Sequence, residues 1–267
     1  MRKVCALLGV PRSSVLYRKA PKRNLDALTM MIRTNRVTFP TCGFRLMYKL
    51  LVRQRVACTR SEVRAVYERL GWLGKRAPAR ARTTDSRHEQ ERYPNIVKDL
   101  PISRPDQVWV ADTLELRVAG RRAFLALIED VYTRRVVGFA LSFTNDALLT
   151  LEALERALDR GQPQIHHSDQ GKTYAADLHT RRLLDVGATI SMAAVGCAWE
   201  NGYAERLNRT FRHEEIRRSE YLSLREARTA IARYVNLYNA HRIHMSLGYR
   251  TPDEVNEAYD RDQETGE

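Results

Sequence analysis

Asp112 in QVWVADTLEL, Asp169 in IHHSDQG and Glu205 in AWENGYAERLNRTFR are residues whose types and spacing can do chemistry. Thirty-five residues separate the last two, and Arg212 stands seven positions beyond the glutamate. Mg²⁺ takes carboxylate and water oxygens and often binds through one or two carboxylates plus substrate phosphates. Two such ions about 4 Å apart can activate an attacking oxygen and stabilise the leaving oxygen of an in-line phosphodiester displacement. Three separated carboxylates brought together can hold that pair. The pattern therefore points to hydrolysis or transesterification of nucleic acid. With 32 acidic residues in the chain, accidental triplets are common, so the elements that carry these three must decide.

Each acid falls in a segment of different pattern. Asp112 lies in a strand expected over 107–118, preceded by Val108, Trp109, Val110 and Ala111. A carboxylate there is costly unless paired or metal-bound. Asp169 ends a short strand over 164–168, and Gly171 permits a sharp exit at the carboxyl end of a sheet, where sites of open α/β sheets gather. Glu205 belongs to a helix over about 200–218 whose core face is Ala204, Leu207 and Phe211. Asn201, Glu205, Asn208 and Arg212 form an adjacent stripe at spacings of three and four. Strands over 123–128, 135–143 and 188–192 and helices over 147–158, 174–186 and 224–239 complete the region. Three hairpin-linked strands followed by alternating helices and strands is the element order of the ribonuclease H-like fold, an α/β architecture with a mixed five-stranded sheet flanked by helices.

The net charge of +13 is uneven. Residues 1–104 hold 24 Lys and Arg against seven Asp and Glu, whereas residues 105–267 hold 21 against 25. The basic part implies a polyanionic partner, nucleic acid above all. It reads as short helices over 24–39, 43–53 and 59–70, the last opened by the capping box Thr59-Arg-Ser-Glu62. Two helices joined by a short connection, the second presenting Arg60 and Arg64, resemble a helix-turn-helix. The expected organisation is a basic helical DNA-binding region over 1–74, a basic linker over 75–103, a catalytic core with C-terminal helices over 104–258, and a polar tail over 259–267.

Several functions are excluded. No run of about 18 apolar residues exists to span a membrane, and the N-terminal apolar stretch is too short for a signal peptide. The four scattered cysteines fit free thiols in a cytoplasmic protein. His213-Glu214-Glu215-Ile216-Arg217 begins like HExxH but ends in arginine, so a zinc-protease reading fails. His166 and His167 point to opposite faces of one strand, which suits packing better than metal ligation. Neither GxGxxG nor GxxxxGK[ST] occurs, so nucleotide cofactors are not supported.

The acidic triad and the basic residue seven beyond it resemble the DDE motif of retroviral-type integrases and bacterial transposases. The finer resemblance is to the OrfB catalytic proteins of the IS-three family of insertion sequences. It is carried by RPDQVWVAD (104–112), FLALIEDVYTRRVVGFALS (124–142), HSDQGKTY (167–174), GCAWENGYAERLNRTFRHEEI (196–216) and YNAHRIHMSLGYRTPDEV (238–255). CGFRLMYKLL (42–51) and CALLGVPRSSVLYR (5–18) extend it into the basic region. The resemblance implies that Asp112, Asp169 and Glu205 are catalytic and ligate two Mg²⁺ or Mn²⁺ ions. It implies that Arg212 contacts DNA near the scissile phosphate, with Arg209 and Asn208 beside it and Arg60 and Arg64 in the helical region. The implied substrates are the terminal inverted repeats of an element and its target DNA, handled by a homo-oligomer. An upstream OrfA product, fused or paired, is the further implied partner. Glu200 and Ile243 stand where relatives often carry Asp and Pro, and Leu114-Glu115 where they often carry Thr-Tyr. Two alternatives remain open at this point: a ribonuclease H-like nuclease that hydrolyses without joining, and a non-catalytic DNA-binding relic.

Overall fold

The structure is a computed structural model and describes residues 24–74, 93–194 and 197–266, with Cys5, Leu7 and Gly9 besides. Most of the N-terminal stretch 5–18 and residues 75–92 of the expected linker lie outside the described residues.

Three helices form the first unit: α1 (Asp26–Thr38), α2 (Phe44–Arg53) and α3 (Arg60–Arg69). The capping box forms as the sequence implies, with Thr59 accepting from the Glu62 backbone and the Glu62 carboxylate accepting from the Thr59 N–H. Their apolar stripes close on a core of Ile32, Met47, Leu51, Val63, Val66 and Tyr67. Ile243, from far along the chain, is buried in the same core. An isoleucine where relatives often carry proline thus adds apolar contact between the helical unit and the C-terminal segment.

The second unit is a five-stranded sheet of β1 (Val108–Val118), β2 (Arg121–Asp130), β3 (Val136–Ser142), β4 (Ile165–Ser168) and β5 (Thr189–Met192), in the order β3-β2-β1-β4-β5. The first three strands pair antiparallel, while β1–β4 and β4–β5 pair parallel. Ala119 and Gly120, with φ of 49° and 72°, turn the β1–β2 hairpin; positive φ at both central residues matches the right-handed twist of the strands.

Strand alternation assigns the two faces. Trp109, Ala111, Ala126 and Ile128 pack with α4 (Ala147–Leu158) and α5 (Asp177–Asp185). Leu114, Leu116, Val118 and Leu125 pack with α6 (Gly202–Glu214) and α7 (Leu224–His241). Gly138 in β3 is required by the close approach of α4, because a Cβ there would sit 2.3 Å from the Ala153 carbonyl oxygen.

Two sequence expectations are corrected. Residues 259–265, read as a polar tail, continue a further helix, α8 (Pro252–Thr265). Thr251 and Glu254 form its capping box and Pro252 occupies its first turn, a start signal plainly present in TPDE. Residues 93–102, read as the end of a linker, lie on the core instead: Tyr93, Val97, Leu100 and Ile102 pack against its apolar clusters. Ser191 Oγ accepts from the Ile96 N–H at 3.1 Å. Periodicity could not show this, since the segment is extended chain that gains its order from the strands it covers.

Candidate active site

Asp112 shares the face of Leu114, Leu116 and Val118 by strand alternation, so it looks toward α6. It is half-buried. One carboxylate oxygen accepts from the Thr113 N–H at 2.7 Å and the other from Asn208 Nδ2 at 2.7 Å. Burial pushes its carboxyl up to about 7, and the nearby charges of Asp169 and Glu205 push the same way against those two hydrogen bonds.

Asp169 follows β4 directly. Because β4 runs parallel to β1 with His167 opposite Val110, the next two steps along each strand bring Asp169 level with Asp112. Its Oδ1 accepts from the Gly171 N–H at 2.9 Å. A Cβ on residue 171 would stand 2.8 Å from that oxygen, so glycine here is a matter of space as well as of turning.

Glu205 is exposed on the first turn of α6. Partial burial raises its carboxyl and Arg209 holds it back. Two asparagines one turn to either side clip the helix to β1. Asn201 Nδ2 donates to the Ala111 carbonyl at 3.0 Å, and Asn208 donates to Asp112. The two asparagines of the expected stripe therefore face β1, with exposed Glu205 between them on the helix.

Asp169 and Glu205 both lie within electrostatic reach of Asp112, yet among the described residues no three His, Cys, Asp or Glu groups stand close enough to hold one ion together. The donor chemistry nonetheless fits a hard cation. All three groups offer oxygen, and both charges that act on half-buried Asp112 most strongly are negative. Such a cluster is stabilised by added positive charge.

The remaining expected residues are spread. Arg209 is exposed and Arg212 half-buried on α6. Asn208, grouped with DNA contacts by its place in the sequence, is buried and its amide holds Asp112. Arg60 and Arg64 are exposed on α3, Arg60 over the Phe44 ring at 5.8 Å and Arg64 bonded to Glu68 at 2.9 Å. His166 and His167 are both buried; His166 packs beside His179, and His167 Nδ1 lies 2.8 Å from Ser191 Oγ.

Two contributors escaped sequence reasoning. The Tyr174 hydroxyl lies 3.1 Å from the hydroxyl of Thr113, the residue after Asp112, and within the field of the Asp112 carboxylate. Glu214 accepts from Thr41 of the helical unit, from Tyr234 and from Arg242. Tyr174 sits in the quoted HSDQGKTY phrase, but no spacing rule assigns its partner.

Two segments, residues 102–197 and 186–252, match family models described as Integrase core domain. The chain is also 30% identical over 219 residues to the transposase for insertion sequence element IS629 of Shigella sonnei, covering 81% of this chain and 74% of that one. The chain belongs to the insertion-sequence transposases. A second relative, the putative transposase for insertion sequence element IS986/IS6110 of Mycobacterium tuberculosis, is 27% identical to this transposase over 237 residues, covering 85% of each. In fold the transposase is similar to a chain of the simian T-cell lymphotropic virus intasome solved with PP2A regulatory subunit B56 gamma. That likeness has a TM-score of 0.52 at 14% identity and covers 82% of this chain and 72% of the other. The ribonuclease H-like sheet and its flanking helices are thus those of an integrase-type polynucleotidyl transferase.

Proposed function

We propose that Asp112, Asp169 and Glu205 are the metal-binding carboxylates of this transposase and that they cut and join DNA at the ends of an insertion sequence of the IS-three family, OrfB type. One observation carries the assignment: Asp112, held at both oxygens by Thr113 and Asn208, has the other two acids as its strongest charged neighbours. Two Mg²⁺ or Mn²⁺ ions bound there supply Lewis acidity and ease deprotonation of the attacking oxygen.

The chain's own groups do the rest. Thr113 and Asn208 fix the Asp112 rotamer, and Gly171 fixes Asp169, so two of the three carboxylates are preorganised. Glu205 stays exposed and free to turn toward the same point. Arg212 and Arg209 continue the α6 stripe beyond it, where phosphate oxygens of the bound strand meet them. The basic helical unit, with Arg60 and Arg64 outward, grips the duplex further away through phosphate contacts that release counterions.

The substrates are the element's terminal inverted repeats and a target duplex. Two ends must be held together, so a homo-oligomer assembles on DNA, with an upstream OrfA product fused or paired to this chain. Oligonucleotides bearing the terminal repeats, incubated with Mg²⁺ and a target duplex, test the proposal. Cleavage followed by joining supports it. Hydrolysis without joining on every end tested assigns a simple nuclease instead, and no metal-dependent cleavage at all assigns a DNA-binding relic.

A further inference from the structure

A groove of ≈ 570 Å³ opens beside the first turn of α6, lined among others by Leu100, Ile102, Tyr132, Arg134, Tyr203 and Arg250 and by none of the three acids. Its chemistry is uneven. Leu100, Ile102 and Val131 supply aliphatic surface, while two tyrosines and two arginines supply aromatic and cationic surface. Tyr203 is 40% exposed even though it lies two residues before Glu205 on the catalytic helix.

Arg134 is the unusual member. Its backbone has φ of 63°, a conformation that costs a non-glycine residue energy and persists only where the surroundings impose it. Its guanidinium stacks over the Tyr203 ring at 4.0 Å. Its Nε is shielded from solvent with no hydrogen-bond partner, and among the described residues the guanidinium forms no hydrogen bond or ion pair. Glu129 lies within its field, but burial pushes that carboxyl up to about 8, toward the neutral form. An arginine stacked on an aromatic ring leaves its in-plane N–H donors directed outward, which suits phosphate oxygens. Arg250, exposed on the same groove, adds a second cation.

We propose that this groove binds an unpaired stretch of DNA strand passing the active site, with a base against Tyr203 and Tyr132 and a phosphate on Arg134 and Arg250. The volume lies in the range of clefts that enclose a small ligand, which accommodates a nucleotide and excludes a duplex. Aromatic faces with neighbouring cations are the means by which proteins hold single strands without reading their sequence. The site deepens the reading of the chain as a DNA-cutting enzyme and rests on it. Its place beside α6 sets it where a strand freed at a cut end, or unpaired before cutting, would leave the carboxylates.

The test is fluorescence anisotropy of full-length protein with a short labelled oligothymidylate, in wild type and in Tyr203→Leu and Arg250→Gln variants checked by thermal melting. Arg134→Asn serves as a third variant, because asparagine tolerates the positive φ. Single-strand affinity is expected to fall at least about five-fold in each variant, near the lower end of base–aromatic stacking. Unchanged affinity in all three, with wild-type melting, overturns the groove as a strand site. Cleavage of a duplex end by wild type and by Asp112→Asn is scored separately. If the carboxylate variant loses cleavage while the groove variants bind like wild type, the groove falls and the metal site stands. If the groove variants lose binding while Asp112→Asn cleaves normally, the groove stands and the metal site falls.

Discussion

The Asn208 amide donates to the Asp112 carboxylate at 2.7 Å, joining the second turn of α6 to the middle of β1. This bond fixes two things together: the rotamer of one carboxylate and the rotation of the helix that carries Glu205. Asn208→Leu removes the donor and leaves the Asp112 oxygen without it. Metal affinity is expected to fall about 10- to 100-fold, the usual effect of losing a partner behind a ligand. Titration of Mn²⁺ into wild type and variant measures this, and equal affinities would show that Asp112 needs no such support.

Gly171→Ala should separate activity from stability. The three atoms nearest the added methyl group all belong to the Asp169 carboxyl, the closest at 2.8 Å. The carboxylate can swing away at small cost to the fold, so the melting temperature should stay within a few degrees while cleavage falls at least about ten-fold, as misplacement at a reacting centre implies. Gly138→Ala makes the contrast. There the methyl group meets the Ala153 carbonyl in the packed core, and a loss of about 1–3 kcal/mol or more in urea unfolding is expected.

Glu214 and Arg242 form a buried ion pair at 3.0 Å, with Thr41 and Tyr234 also donating to the glutamate. Although burial opposes it, the Arg242 hydrogen bond and charge hold the Glu214 carboxyl below its usual range. Arg242→Met strands that charge and should cost about 3–5 kcal/mol. Chemical denaturation at neutral pH is the check, and a loss under about 1 kcal/mol would mean that the remaining donors suffice.

Stability should also fall in acid through buried neutral histidines. His179 is fully buried, neither ring nitrogen has a hydrogen-bond partner among the described residues, and burial lowers its pKa from 6.5 to about 4. The unfolded chain therefore binds more protons between those values, and stability drops as pH falls from 6.5 toward 4, by about 3 kcal/mol at the limit. His179→Phe should flatten that part of the stability–pH curve. An unchanged slope would assign the acid sensitivity elsewhere.

Much of this molecule was legible in its sequence, for reasons visible residue by residue. The Ala147–Leu158 helix and the Thr59 cap follow from local pattern, and alternation along β1 gives the face of Asp112. Spacing placed Asn201, Glu205 and Asn208 on one stripe, but a stripe has no address. Only the packed fold shows that the two asparagines end on Ala111 and Asp112. Ordered extended chain over 93–102 was illegible because its order comes from long-range contacts with β4, β5 and their neighbours. Helix α8 was legible and missed, since its polar composition masked a clear capping box.

Strand transfer by Asp112→Asn tests the central claim most directly. The substitution keeps the shape of the side chain and removes its charge. With wild type and variant at equal folded fraction by circular dichroism, terminal-repeat oligonucleotides in Mg²⁺ should be cut and joined by wild type. The variant should fall by at least about 10²-fold, the lower end of the loss from removing a charge-stabilising group at a reacting centre. Joining at the wild-type rate by the folded variant would contradict the assignment of Asp112 and, with it, of the carboxylate triad.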